Sequence, residues 1–176
     1  MFRHISEEFF QRQYRTTFGR IFVDHAVSAS SFRNSEWKTW LLPYGFHLRE
    51  TDFLGFREAA RMYDQVVVVT DSETIPAHAH SVMFDLSLEA WEKARCDDVL
   101  GHVDVAVFGE SGAWGMLIGI EDYAVVGGEA RFSDTFLQAV GGENAARDTF
   151  IEFCDAEWSI GAEFRQKILK GVGWLP

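Results

Sequence analysis

The chain has 176 residues, 47% of them hydrophobic, with 16 Phe and 6 Trp. That length and aromatic content can bury a sizeable core, which excludes a disordered chain and a small fold held only by disulfides or a metal. Its 27 acidic residues against 16 basic ones leave a net charge of -11, which repels phosphate and argues against nucleic acid as a partner.

The opening residues lack the apolar stretch of a secretory leader. No run approaches the ~20 apolar residues of a membrane helix. The expectation is one domain spanning 1–176, cytoplasmic and without membrane contact, since no Pro/Gly/Ser-rich linker divides the chain.

Ser6, followed by Glu7 and Glu8, has the form of a capped helix start, with Phe9, Phe10 and Tyr14 on one face and Gly19 as its stop. Ile21, Phe22 and Val23 read as a short strand. Residues 32–50 are aromatic-rich, and Pro43 and Gly45 break any long helix there. Asp52 is placed to cap a second helix carrying Phe53, Phe56, Ala60 and Tyr63 on one stripe. Four consecutive valines at 66–69 predict a strand covered on both faces. Residues 82–86 read as another strand. Ser87 then caps a helix running to about Leu100, with Leu88, Trp91 and Ala94 inward.

Residues 103–108 and 114–120 flank Glu110, Ser111 and Gly112, which is turn chemistry, so 103–120 is expected to be a β-hairpin. Ala124, Val125 and Val126 lead into Gly127 and Gly128, and helices follow near 130–140, 143–156 and 160–170. The fold class expected is α+β: a mostly antiparallel sheet with this central hairpin, helices wrapped on one side, and a C-terminal helical segment.

Charge is distributed unevenly. Residues 63–163 hold 20 acidic and 4 basic residues, a balance of -16, which would draw a basic surface toward this part of the chain. The candidate partner-binding residues are Asp97, Asp98, Glu110, Glu121, Asp122, Glu129 and Asp134.

Signals for chemistry are sparse. There is no GxSxG elbow, phosphate loop or CxxC pair, so neither a catalytic residue nor a cofactor is assigned. His78 and His80, two apart, would face the same way in a strand and are candidate metal ligands, with Asp71 and Glu73 upstream as oxygen donors. Two neutral histidines on a solvated loop fit the same spacing. Cys154 sits on an apolar helical stripe, where a thiol is inert, and acidic neighbours of Cys96 disfavour a thiolate there.

Residues 103–128 combine an apolar strand, the Glu-Ser-Gly turn, a Trp-Gly strand, Glu121-Asp122-Tyr123 and a Val-Val-Gly-Gly segment before a helix. This pattern resembles bacterial immunity proteins, which protect a cell from toxin domains delivered by its kin. The resemblance spans 26 positions and implies a role: binding a cognate toxin domain, a basic nuclease being the class the acidic charge suits. Two other readings stay open. One is a small enzyme using His78 and His80 as metal ligands or proton carriers. The other is an adaptor module docking through an exposed aromatic patch around Trp37 and Trp40.

Overall fold

A computed structural model describes residues 1–24, 26–72, 80–156 and 161–175. Ser6 caps helix α1 (Glu7–Gln13), its hydroxyl accepting the backbone N–H of Phe9. Helix α2 (Arg15–Ile21) follows at once and runs through Gly19, because burying Phe18 and Ile21 outweighs the weak helix preference of one glycine. The strand expected at 21–23 is therefore absent: Ile21 ends the helix, and Phe22 makes an isolated bridge to Phe32.

Among the described residues the sheet has seven strands: β1 (Phe2–Ile5), β2 (Lys38–Pro43), β3 (Val66–Asp71), β4 (Ser81–Asp85), β5 (Val105–Gly109), β6 (Trp114–Ile118) and β7 (Tyr123–Gly128). Their spatial order is β1-β4-β3-β5-β6-β7-β2, and every pairing is antiparallel. The expected hairpin is present as β5 and β6, with Val105 opposite Ile118 and Phe108 opposite Gly115.

Helices cover both faces, not one. On the first face, Phe10, Tyr14, Phe18 and Phe22 surround Phe108. On the second face lie α3 (Glu50–Arg61), α4 (Leu88–Arg95) and α5 (Ala130–Ala139). There Trp114 meets Phe56 and stacks on Phe132, while Trp40 stacks on Phe132 and Phe136. Every residue of β5, β6 and β7 is buried, so apolar side chains on both faces of the central strands need cover. Helix α6 (Glu143–Ala156) packs beside edge strand β2, and α7 (Ala162–Gly171) completes the C-terminal helical segment. Among the described residues, no helix is long and apolar enough to cross a membrane.

Two helix boundaries differ from expectation for local reasons. Arg49 occupies the N-cap of α3, while Asp52 lies one turn in, buried, and accepts from Arg49 Nε at 2.7 Å and Nη2 at 2.8 Å. Helix α4 ends at Arg95 because Asp97 Oδ1 accepts the backbone N–H groups of Val99 and Leu100, a turn that competes with continuing the helix. Leu88 is exposed, and Ala90, Trp91 and Ala94 form the inner face.

A buried carboxylate fixes the far end of the hairpin. Asp64, just after α3, accepts from Ser111 N at 2.9 Å, Ser111 Oγ at 2.7 Å and Trp114 Nε1 at 2.9 Å. Gly109 leaves room for it, since a Cβ there would lie 2.0 Å from Asp64 Oδ2.

Candidate functional site

Antiparallel pairing divides the candidate acids between two ends of the sheet. Glu110, in the β5–β6 turn, and Glu129, at the start of α5, share one end, where Glu129 N donates to Ala113 O. Asp134 lies exposed on α5. Glu121 and Asp122 occupy the β6–β7 turn at the other end. The four-residue step between these ends corresponds to about 14 Å of strand. The acids contiguous in sequence are thus not one surface.

At the Glu121–Asp122 end, three loops meet. The segment after α4 carries Asp97, Asp98 and Val99, and the β6–β7 turn carries Ile120, Glu121 and Asp122. Between them a cavity of about 240 Å³ is lined by residues 100–103 on one side and by Ile118, Gly119, Ile120 and Asp122 on the other, with Phe46, His47 and the cationic Arg95 completing its wall. Asp104 Oδ1 accepts the backbone N–H of Ile120 at 2.9 Å, tying the two segments together. Asp122 adopts φ +60°, a conformation that aspartate tolerates better than most residues. The Tyr44–Gly45 turn packs behind it: a Cβ on Gly45 would sit 3.1 Å from Asp122 Cα.

The exposed side chains here are not all acidic. Ile120 is 59% exposed and Val99 38% exposed, each next to the acids of its own loop. Asp98, Glu121 and Asp122 are exposed, Asp104 half-buried.

A second cavity, of about 390 Å³, opens beside the same end on the other face. Val27, Leu41, Val125, Phe164 and Ile168 supply apolar walls, with Asp104, Glu121 and Lys167 also lining it. Tyr123 Oη donates to Val27 O at 2.7 Å. Burial, then the carboxylates of Glu121 and Asp104, push the Tyr123 hydroxyl far above its usual range, so it remains a donor.

Asp97 differs from the other candidate acids. Its side chain is only 8% exposed and faces two histidines: His80 Nε2 lies 3.1 Å from Oδ1, and His4 Nδ1 lies 3.8 Å from Oδ2. Burial opposes its ionisation, but the N–H groups of Leu100 and Val99 together with His80 outweigh that and hold the carboxyl below its usual range. Strand β1 brings His4 into this group by pairing His4 with Val82, two residues beyond His80. His78 and Glu73 lie outside the described residues. Asp71 ends β3, its N–H donating to His80 O at 2.9 Å.

The remaining candidates have structural surroundings. Glu110 accepts from Tyr14 Oη at 3.1 Å. Burial, reinforced by that bond, raises the Tyr14 hydroxyl to about 12. Both cysteines are free, Cys96 exposed and Cys154 buried, and burial pushes the Cys154 thiol up to about 11. Trp40 is 1% exposed, and Trp37 is half-buried against Phe32. Among the described residues, the patch that the adaptor reading places around Trp37 and Trp40 is thus reduced to the exposed part of Trp37.

Sequence reasoning missed His4 and Asp104. Asp104 precedes a recognisable strand, but its bond to the β6–β7 turn depends on the hairpin register. His4 sits in a four-residue strand whose partner is nearly 80 residues away. No family model, curated protein or solved structure matches the chain.

Proposed function

We propose that the chain is an immunity protein that neutralises a cognate toxin domain, working in the cytoplasm, with the acid-rich loop end of its sheet as the docking surface. The observation that carries the reading is the meeting of the post-α4 loop and the β6–β7 turn. The β6–β7 turn places Glu121 and Asp122 beside exposed Ile120, with Asp104 bonded to the Ile120 N–H, and the post-α4 loop carries Asp98 and exposed Val99. Exposed apolar side chains among charges have the anatomy of a protein interface, whose centre supplies affinity and whose charged rim steers encounter. A basic toxin, such as a nuclease with a cationic cleft, is the complementary partner. Glu110, Glu129 and Asp134 then add to the long-range field rather than to the contact.

Co-expression with candidate toxin domains, basic nucleases first, tests this reading. The chain should restore growth of toxin-expressing cells and bind the purified toxin more tightly at low salt than at high salt. Unrescued growth together with no binding at low salt would refute it.

A further inference from the structure

We propose that His4, His80 and Asp97 form a binding site for one divalent transition-metal ion of the zinc class, with its remaining coordination positions open to solvent. The three residues come from β1, the residue before β4, and the loop after α4, and each offers a donor atom.

Their spacing approaches that of a ligand set. Zinc holds nitrogen and oxygen donors at about 2.0–2.2 Å, so neighbouring donors stand roughly 3–3.5 Å apart. His80 Nε2 and Asp97 Oδ1 are 3.1 Å apart, His4 Nδ1 and Asp97 Oδ2 are 3.8 Å apart, and one donor atom from each residue lies within 4.8 Å of the others. The 3.1 Å contact is close but poorly directed. His80 Nε2 is buried and makes no aligned hydrogen bond, so in the neutral ring with its proton on Nδ1 its lone pair is available to an ion. A shared ion satisfies both groups at once.

The supporting contacts also suit a ligand. The Val99 and Leu100 N–H groups fix Asp97 through Oδ1, as outer partners orient ligating carboxylates. The His4 side chain is 60% exposed, which gives an ion a path from solvent. Two imidazoles and one carboxylate select zinc, cobalt or nickel over calcium and magnesium, which take oxygen donors. One carboxylate leaves a dication with net positive charge, able to hold water or an anionic ligand. Bound metal would tie edge strand β1 to the loop after α4. Asp97 would then be a ligand rather than a docking acid, and the site requires no toxin to fill it.

The test uses the full chain freed of metal by chelation. Zinc is titrated calorimetrically, cobalt by its visible d–d absorption, and Tm is followed with added zinc. The expected result is one ion per chain, with Tm rising as zinc exceeds its Kd. His4→Ala and His80→Ala should each weaken affinity at least tenfold, roughly the smallest loss seen when even outer partners are removed, and should abolish the cobalt bands. His102→Ala, an exposed histidine outside the group, should bind as the parent does. Asp97→Asn removes the carboxylate charge; should the loss of its turn unfold the chain, the exposed His4→Ala variant still decides. No saturable binding, or equal affinity in the parent and both histidine variants, overturns the site.

Discussion

Asp64→Ala should destabilise the fold by about 2–4 kcal/mol. Three donors converge on this carboxylate, and two fates await them when it is removed. Trp114 is fully buried, so its Nε1–H, now 2.9 Å from Asp64 Oδ2, loses its partner with no water to replace it. A buried donor left unpaired costs about 1–3 kcal/mol. Ser111 is exposed, so water replaces much of what its N–H and hydroxyl lose, at about 0.5–1 kcal/mol. For a chain of this size each kcal/mol moves Tm by about 2–4 °C, so the midpoint should fall by roughly 5–15 °C. Asp64→Asn keeps one acceptor oxygen and should lose about half as much. Urea titration followed by tryptophan fluorescence and far-UV dichroism measures both variants. Asp64→Ala within about 0.5 kcal/mol of the parent, a change ordinary for surface substitutions, would refute the view that this carboxylate holds the hairpin.

Alkaline stability should depend on Tyr14. Its folded-state pKa of about 12 exceeds the unfolded value, so its contribution is complete below pH ~10 and is lost as pH rises toward the folded value. Tyr14→Phe should flatten the fall in denaturation midpoint between about pH 10 and 12, and an unchanged slope would contradict the assignment. Thiol labelling near pH 8 should modify Cys96 alone in the native chain and both cysteines in denaturant, because Cys154 is buried with its pKa raised to about 11. Equal native labelling of both would contradict that burial.

The parts legible in sequence were those with local signals. Ser6 and Ser87 announce helices α1 and α4 by their caps, four valines announce β3, and a Glu-Ser-Gly turn announces the β5–β6 hairpin. What escaped depends on distant pairing. Strand β2 hides in an aromatic segment whose partner, β7, begins some 80 residues later. Strand β1 is four residues long and defined by β4. The same limit applied to the site. Composition placed the negative charge in 63–163, but it is the antiparallel register of β5, β6 and β7 that separates Glu110 and Glu129 from Glu121 and Asp122. The expectation that His80 would pair with His78 rested on strand periodicity, and His78 lies outside the described residues; the register of β1 supplies His4 as a neighbour of His80 that no local pattern announced.

Reversing charge at each end of the sheet tests the proposed docking surface most directly. Asp98→Lys combined with Glu121→Lys changes the acid-rich loop end, while Glu110→Lys combined with Asp134→Lys changes total charge equally elsewhere. Association with the toxin domain that the proposed function requires, once found by rescue of growth, is measured at low salt by surface plasmon resonance. The loop-end pair should slow association by about tenfold or more, and the second pair should have a much smaller effect. Equal slowing by both pairs, or none by either, would contradict the placement of the interface at this end.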